Sequence, residues 1–221
     1  MSEAQPLGLI GGTFDPVHYG HLRLAEEARE ALGLAEVRWI PAGRPPHRAV
    51  PRVDAAHRLE MVRRAVAGNA AFTVDEAEIR ADAPSYTVAT LERLRAGMPQ
   101  RQLVLLMGAD AFLGLPTWHR WRDLLALAHI GVAARHGVEL AAEDLPAELA
   151  AACAGRLGDD AAVLRAAPAG RVVRFSMTPL AISASLLRAQ LAAGASVRYL
   201  LPDPVREYID RHHLYRMTDG R

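Results

Sequence analysis

The chain alternates short unbroken apolar runs with stretches whose apolar residues recur every three or four positions. Runs at residues 7–10, 37–41, 72–74, 103–107, 130–133 and 172–175 predict buried strands, with 103–107 the most strand-like. Between them, Leu22, Ala25, Ala28 and Leu32 share one helical face that closes at Gly33. Leu59, Val62 and Val66 share another, opened by Asp54 as N-cap and ending near Gly68. Val88, Leu91 and Leu94 mark a third, opened by Ser85 or Thr87 and stopping near Gly97. Leu124, Leu125 and Leu127 predict a helix before the fifth run, and residues 183–193 and 204–213 predict two more after the last. Residues 138–168 are alanine-rich with scattered acids and predict one or two peripheral helices, to which no function is assigned.

Strands alternating with helices of this length imply parallel pairing through right-handed crossovers. The expected fold is therefore α/β, a Rossmann-like doubly wound parallel sheet with flanking helices. No internal repeat or linker divides the chain, so residues 1–221 are expected to form one domain. In such sheets ligands bind beyond the carboxyl ends of the strands, where strand order reverses. The distinctive motifs all follow predicted strands: residues 11–21 the first, 45–48 the second, 108–110 the fourth and 183–188 the last.

Composition narrows the class without choosing a function. About half of the residues are apolar, and 26 basic side chains nearly cancel 25 acidic ones. No net field gathers nucleic acid or an anionic membrane, and neither is expected as a partner. Cys153 is the only cysteine, so an intramolecular disulfide is impossible. The N-terminal residues lack a basic lead and a long apolar run, and no window approaches the roughly 20 apolar residues that span a bilayer. A cytoplasmic setting is the expectation; a homo-oligomer is compatible with all of this.

The first strand runs into Gly11-Gly12-Thr13-Phe14-Asp15-Pro16-Val17-His18-Tyr19-Gly20-His21. A glycine pair at a strand end permits a tight turn and lets a ligand approach the backbone. Amides there, with the positive end of a helix starting near Gly20, suit an anion. His18 and His21 lie three apart across that helix start, so both imidazoles can face the same anion. A zinc site would need a third ligand, which no Cys or His-x-x-Glu pattern supplies, and a purely structural pair is the remaining alternative. This stretch resembles the His-x-Gly-His signature of the nucleotidyltransferase superfamily. The resemblance implies that Gly11, Gly12, Thr13 and Phe14 line an ATP site, and that His18 and His21 contact phosphates and stabilise charge at the α-phosphorus.

Residues 182–188, Ile-Ser-Ala-Ser-Leu-Leu-Arg, open a predicted helix. Read alone, this is a serine-capped amphipathic helix. Beside the first motif it resembles the superfamily's second signature, in which Ser183, Ser185 and Arg188 would hold the β- and γ-phosphates. The planar arginine fork suits paired bonds to phosphate oxygens.

Three further segments address the acceptor. Pro45-Pro46-His47-Arg48 places two cations on a stiffened loop, suited to a phosphate. Ser85, Tyr86 and Thr87 set amides at a helix start, where a carboxylate is favoured. Trp118, beside His119, can stack on a flat heteroaromatic ring, while Trp121 is expected in the core. Together they resemble the bacterial nicotinate mononucleotide adenylyltransferases, over most of the chain from Gly11 to about Tyr215, including GADAF at 108–112 and LLPDPVREYI at 200–209. The resemblance implies nicotinate stacked on Trp118, its carboxylate at amides near Tyr86, Thr87 and His119, its phosphate near His47 and Arg48, and a ribose at Asp110. It also implies an adenine-side role for Arg135, although Arg135-His136-Gly137 departs from the family's Arg-Pro-Gly. The implied reaction is adenylyl transfer from ATP to nicotinate mononucleotide, giving deamido-NAD and pyrophosphate, with Mg²⁺ held mainly by ATP phosphates. Phosphopantetheine or the amidated mononucleotide as acceptor, and a nucleotide sensor without turnover, are the alternatives.

Overall fold

The computed structural model describes residues 5–46, 50–135 and 142–216. Strand β1 (Leu7–Gly12) leads through a loop into helix α1 (Tyr19–Ala31), then β2 (Glu36–Pro41) and α2 (Ala55–Val66). Short β3 (Phe72–Val74) and the single-turn α3 (Ala77–Arg80) precede α4 (Thr87–Gly97) and β4 (Leu103–Gly108). One-turn helices α5 (Ala109–Leu113) and α6 (Leu124–Leu127) lead to β5 (His129–Arg135). Helix α7 (Ala147–Cys153), β6 (Leu157–Gly158), β7 (Val172–Met177), α8 (Ala184–Ala192) and α9 (Asp203–Arg211) complete the chain. The seven strands form one sheet in the order β3-β2-β1-β4-β5-β7-β6, and every pairing is parallel. Strand order reverses between β1 and β4, which makes their carboxyl ends the crevice where a ligand belongs.

Side-chain alternation along the strands sorts the helices into two layers. Ile10, Val104 and Leu106 join the core that takes in α1, α2, α8 and α9. Leu7, Leu9, Leu103, Leu105 and Met107 join the other, with α4 and the helices α5, α6 and α7. The caps follow local chemistry: Asp54 Oδ1 accepts from His57 N at 2.8 Å, and Ser183 Oγ accepts from Leu186 N at 3.2 Å.

Two expectations change. Gly11 and Gly12 belong to β1, in register with Ile40 and Pro41, so the loop itself begins at Thr13, and Gly11 has open space where a Cβ would stand. The pair prolongs the strand because β2 runs equally far beside it. The alanine-rich segment is also more than peripheral helix. Its described residues hold the α-helix α7, the edge strand β6 and two 3₁₀ stretches, at Ala142–Asp144 and Ala161–Arg165. Leu145, Leu149 and Cys153 are buried in one core and Leu164 in the other, where burial of each leucine contributes about 2 kcal/mol. The short helices α3 and α5 were not predicted either; single turns are too brief to show a period.

Candidate active site

The loop between β1 and α1 gathers most of the chemistry. His18, only 6% exposed, takes the extended N-cap position of α1 at φ −152° and ψ 171°. Its ring stacks on His21 with centroids 3.8 Å apart and planes 30° apart. Gly20 makes room for that ring, since a Cβ there would lie 3.0 Å from His18 Nδ1 and Cε1. His18 N donates to His21 Nδ1 at 3.3 Å, which leaves the His21 ring proton on Nε2. Burial pushes the His18 imidazole down to about 4, and its Nδ1 is buried without a hydrogen-bond partner among the described residues. At neutral pH His18 is therefore an uncharged N–H donor rather than a cation. Phe14 packs beneath the pair, edge-on to His21 at 5.1 Å. Its ring is buried with the core, so a ligand would meet its backbone and not its side chain.

The distant C-terminal signature reaches this loop. Arg188 Nη1 donates to the Asp15 carbonyl at 2.7 Å, and Nη2 donates to Ser185 Oγ at 3.2 Å. Ser183 caps its own helix. Among the first-turn amides of α1, Tyr19 N is taken by Leu200 O at 3.2 Å.

Sequence reasoning passed over four residues that brace the loop. The Asp15 carboxylate, 5% exposed, accepts from Arg52 N at 2.8 Å and from Tyr215 OH at 2.7 Å. Burial and the Asp15 charge push the Tyr215 hydroxyl well above its ordinary range. Arg58, 1% exposed, donates to Thr13 O at 2.8 Å, Ala42 O at 2.6 Å and Gly43 O at 3.0 Å. A signal for Arg58 existed: it lies four residues before Val62 and eight before Val66, on the face of α2 that turns inward. For Tyr215 no local signal existed, because its partner lies 200 residues away.

The acceptor-side residues converge on the other flank. Tyr86 caps α4 and Thr87 begins it, and the Tyr86 ring lies 4.4 Å from that of His119. Trp118 is half-buried against the core of that layer, whereas Trp121 is fully within it. The Ser85 hydroxyl is engaged: Oγ accepts from Gly43 N at 2.9 Å and Arg44 N at 3.1 Å. It also bonds Glu78, whose carboxyl burial pushes up. Ser85 thus clamps the β2 loop to the start of α4 and does not offer its side chain to a ligand. Asp110 stands exposed in the first turn of α5, directly after β4. Arg135 ends β5 opposite Met177, and its side chain, like His47 and Arg48, lies outside the described residues. The structure thus joins the C-terminal signature to the first motif through Arg188 and Asp15 O, packs Tyr86 against His119, and sets the first motif directly after β1 and Asp110 directly after β4.

Comparison with known proteins addresses the family and the fold. A profile of the cytidylyltransferase-like family matches residues 9–190. A protein of Dechloromonas aromatica (strain RCB), named as a probable nicotinate-nucleotide adenylyltransferase, is 60% identical over 214 residues, covering 96% of this chain and 99% of its own. One of Pseudomonas syringae pv. tomato with the same name is 51% identical over 217 residues, covering 97% and 96%. The fold is similar to that of the Plasmodium falciparum nicotinic acid mononucleotide adenylyltransferase solved in complex with NaAD, with a TM-score of 0.70 at 14% identity over 96% of this chain and 97% of that one.

Proposed function

The chain belongs to the cytidylyltransferase-like family and, within it, to the nicotinate-nucleotide adenylyltransferases, and from this premise we propose how its residues carry the reaction. The enzyme transfers the adenylyl group of ATP to nicotinate mononucleotide, forming deamido-NAD and pyrophosphate in NAD biosynthesis. The contact between Arg188 and the Asp15 carbonyl carries the assignment of the site, because it joins two phosphate-type motifs across 173 residues.

The acceptor phosphate attacks the α-phosphorus in line, the bond to the β-phosphate oxygen breaks, and pyrophosphate leaves. The nucleophile is already an anion, so no residue need act as general base. The chain's work is positioning and stabilisation of growing negative charge. His18 and His21 supply N–H donors at the transferred phosphoryl group. Arg188, with its fork steadied by Asp15 O and Ser185, holds the β- and γ-phosphates together with the amides from Thr13 onward. Trp118 supports the nicotinate ring, and amides near Tyr86, Thr87 and His119 take its carboxylate. His47 and Arg48 hold the acceptor phosphate, Asp110 a ribose, and Arg135 the adenine side.

Among the described residues no three His, Cys, Asp or Glu side chains group so as to hold a metal. We read Mg²⁺ as arriving with ATP, bound by phosphate oxygens and water as that ion prefers, where it would neutralise phosphate charge. Among the described residues no helix is long and apolar enough to cross a membrane, and we place the enzyme in the cytoplasm as a single nucleotidyltransferase domain. Pyrophosphate release is measured with ATP and, in separate reactions, nicotinate mononucleotide, nicotinamide mononucleotide and phosphopantetheine. Nicotinate mononucleotide should be the best acceptor; no release with any of the three would overturn the assignment in favour of a sensor.

A further inference from the structure

A charged side chain in the interior needs a reason, and Arg58 meets the phosphate loop from its buried side, at the Thr13 carbonyl. It is 1% exposed, and the three acceptors it bonds are neutral carbonyls: Thr13 O, Ala42 O and Gly43 O. Its Nε is buried without a partner among the described residues. Burial pulls the guanidinium pKa down despite the attraction of the Asp15 and Asp54 carboxylates, and a buried charge is costly compared with an apolar residue of similar volume, so stability alone does not account for it. What the fork achieves is geometric. One nitrogen bridges the loop after β1, through Thr13, and the loop after β2, through Ala42, and the other holds Gly43 of that second loop.

Gly43 is held from the opposite side as well. Its amide donates to Ser85 Oγ at 2.9 Å, and Arg44 N donates to the same oxygen at 3.1 Å. Ser85 N returns a bond to Arg44 O at 2.9 Å. The approach is so close that a Cβ on Gly43 would lie 2.1 Å from the Glu78 carbonyl oxygen. A continuous chain of hydrogen bonds thus runs from Thr13 in the phosphate loop through Arg58, Gly43 and Ser85 to the start of α4.

We propose that Arg58 is a positioning residue that registers the ATP-side loop against the acceptor-side loop, with Gly43 and Ser85 completing the link, so that the two substrate sites form one mechanical body. This rests on the functional reading above, since it takes residues 13–18 as the ATP side and 85–87 as the acceptor side. An in-line displacement depends on the distance and angle between two separately bound substrates, and a displacement of ~1 Å can cost on the order of 10²-fold in rate.

Arg58→Lys keeps the charge and loses the fork, so it cannot bond three carbonyls in this arrangement. With folding checked by urea unfolding, it should lower kcat/KM for ATP and for the acceptor together, each by about tenfold or more. Ser85→Ala supplies the discriminating readout, because Ser85 sits on the acceptor side. If the link is real, it raises KM for ATP as well as for the acceptor, by about fivefold, as expected for coupled sites. A change confined to the acceptor, or a folded Arg58→Lys enzyme with both kcat/KM values intact, overturns the proposal. If Arg58→Lys does not fold, the ATP KM of Ser85→Ala decides. Wild-type turnover is measured first. Should it be absent, the functional reading fails by itself, and amide hydrogen exchange at residues 12–15 and 42–44 tests the link independently: Arg58→Lys must accelerate both segments together.

Discussion

His18 shows how burial sets chemistry at one residue. Its ring is neutral in the folded chain down to about pH 4, whereas in the unfolded chain it titrates near ~6.5. Between these values the unfolded state binds the proton that the folded state refuses, so stability rises with pH across that window. His18 therefore withdraws stability as the pH falls from about 6.5 towards 4, by at most ~3 kcal/mol, and contributes no pH dependence above 7. Urea unfolding of wild type and His18→Gln across that range measures it; equal losses in both would show that His18 is not buried in its neutral form. In catalysis, His18→Ala and His21→Ala should each lose on the order of 10²-fold or more in kcat with folding retained, as removal of a donor to developing charge does. Wild-type turnover in both would sink their assigned role. Arg188→Ala should act mainly on ATP, seen as a raised ATP KM. The motif made His18, His21 and Arg188 conspicuous in the sequence. It gave no hint that His18 would be uncharged, because desolvation is a property of the packed surroundings.

At the scale of elements, α8 carries Arg188 and α4 opens at Tyr86 and Thr87, the residues proposed above for ATP and for the acceptor. Ser183→Ala removes the α8 cap and should cost ~1 kcal/mol of stability in thermal or urea unfolding, with a weaker hold on ATP because Arg188 rides on the second turn. Trp118→Ala should raise the acceptor's KM and leave that of ATP unchanged; an unaltered acceptor KM would remove Trp118 from the ring site. The apolar periodicity made α1, α2, α4, α8 and α9 legible, and Asp54 and Ser183 marked two of their starts. The single-turn α3 and α5 and the two-residue β6 left no such trace, since a period needs more than one repeat to register. Ser85 looked like a ligand residue for a similar reason. Its hydroxyl, at a helix start, suggests an anion site until the β2 loop is seen to occupy it.

At the scale of the whole molecule, residues 142–168 reach into both cores, with Leu145, Leu149 and Cys153 in one and Leu164 in the other. Leu149→Ala should cost about 2–5 kcal/mol in urea unfolding, while kcat/KM at low temperature stays at the wild-type value because the residue, on α7, packs into the core on the face of the sheet opposite Phe14 and Val17 of the phosphate loop. A loss of activity without a loss of stability would contradict that placement. The sequence by itself determined the α/β class, the strands that carry the motifs and the family to which the two motifs point. It could do so because hydrophobic period and contiguous motifs are local, written within a dozen residues. Only the tertiary structure decided that Arg188 meets Asp15, that Tyr215 closes on Asp15 from the C-terminal end, and that Arg58 ties two loops together from beneath. Those contacts join residues 15 to 200 positions apart, and chain spacing carries no signal for a pairing that exists only once the sheet has brought its carboxyl ends into one crevice.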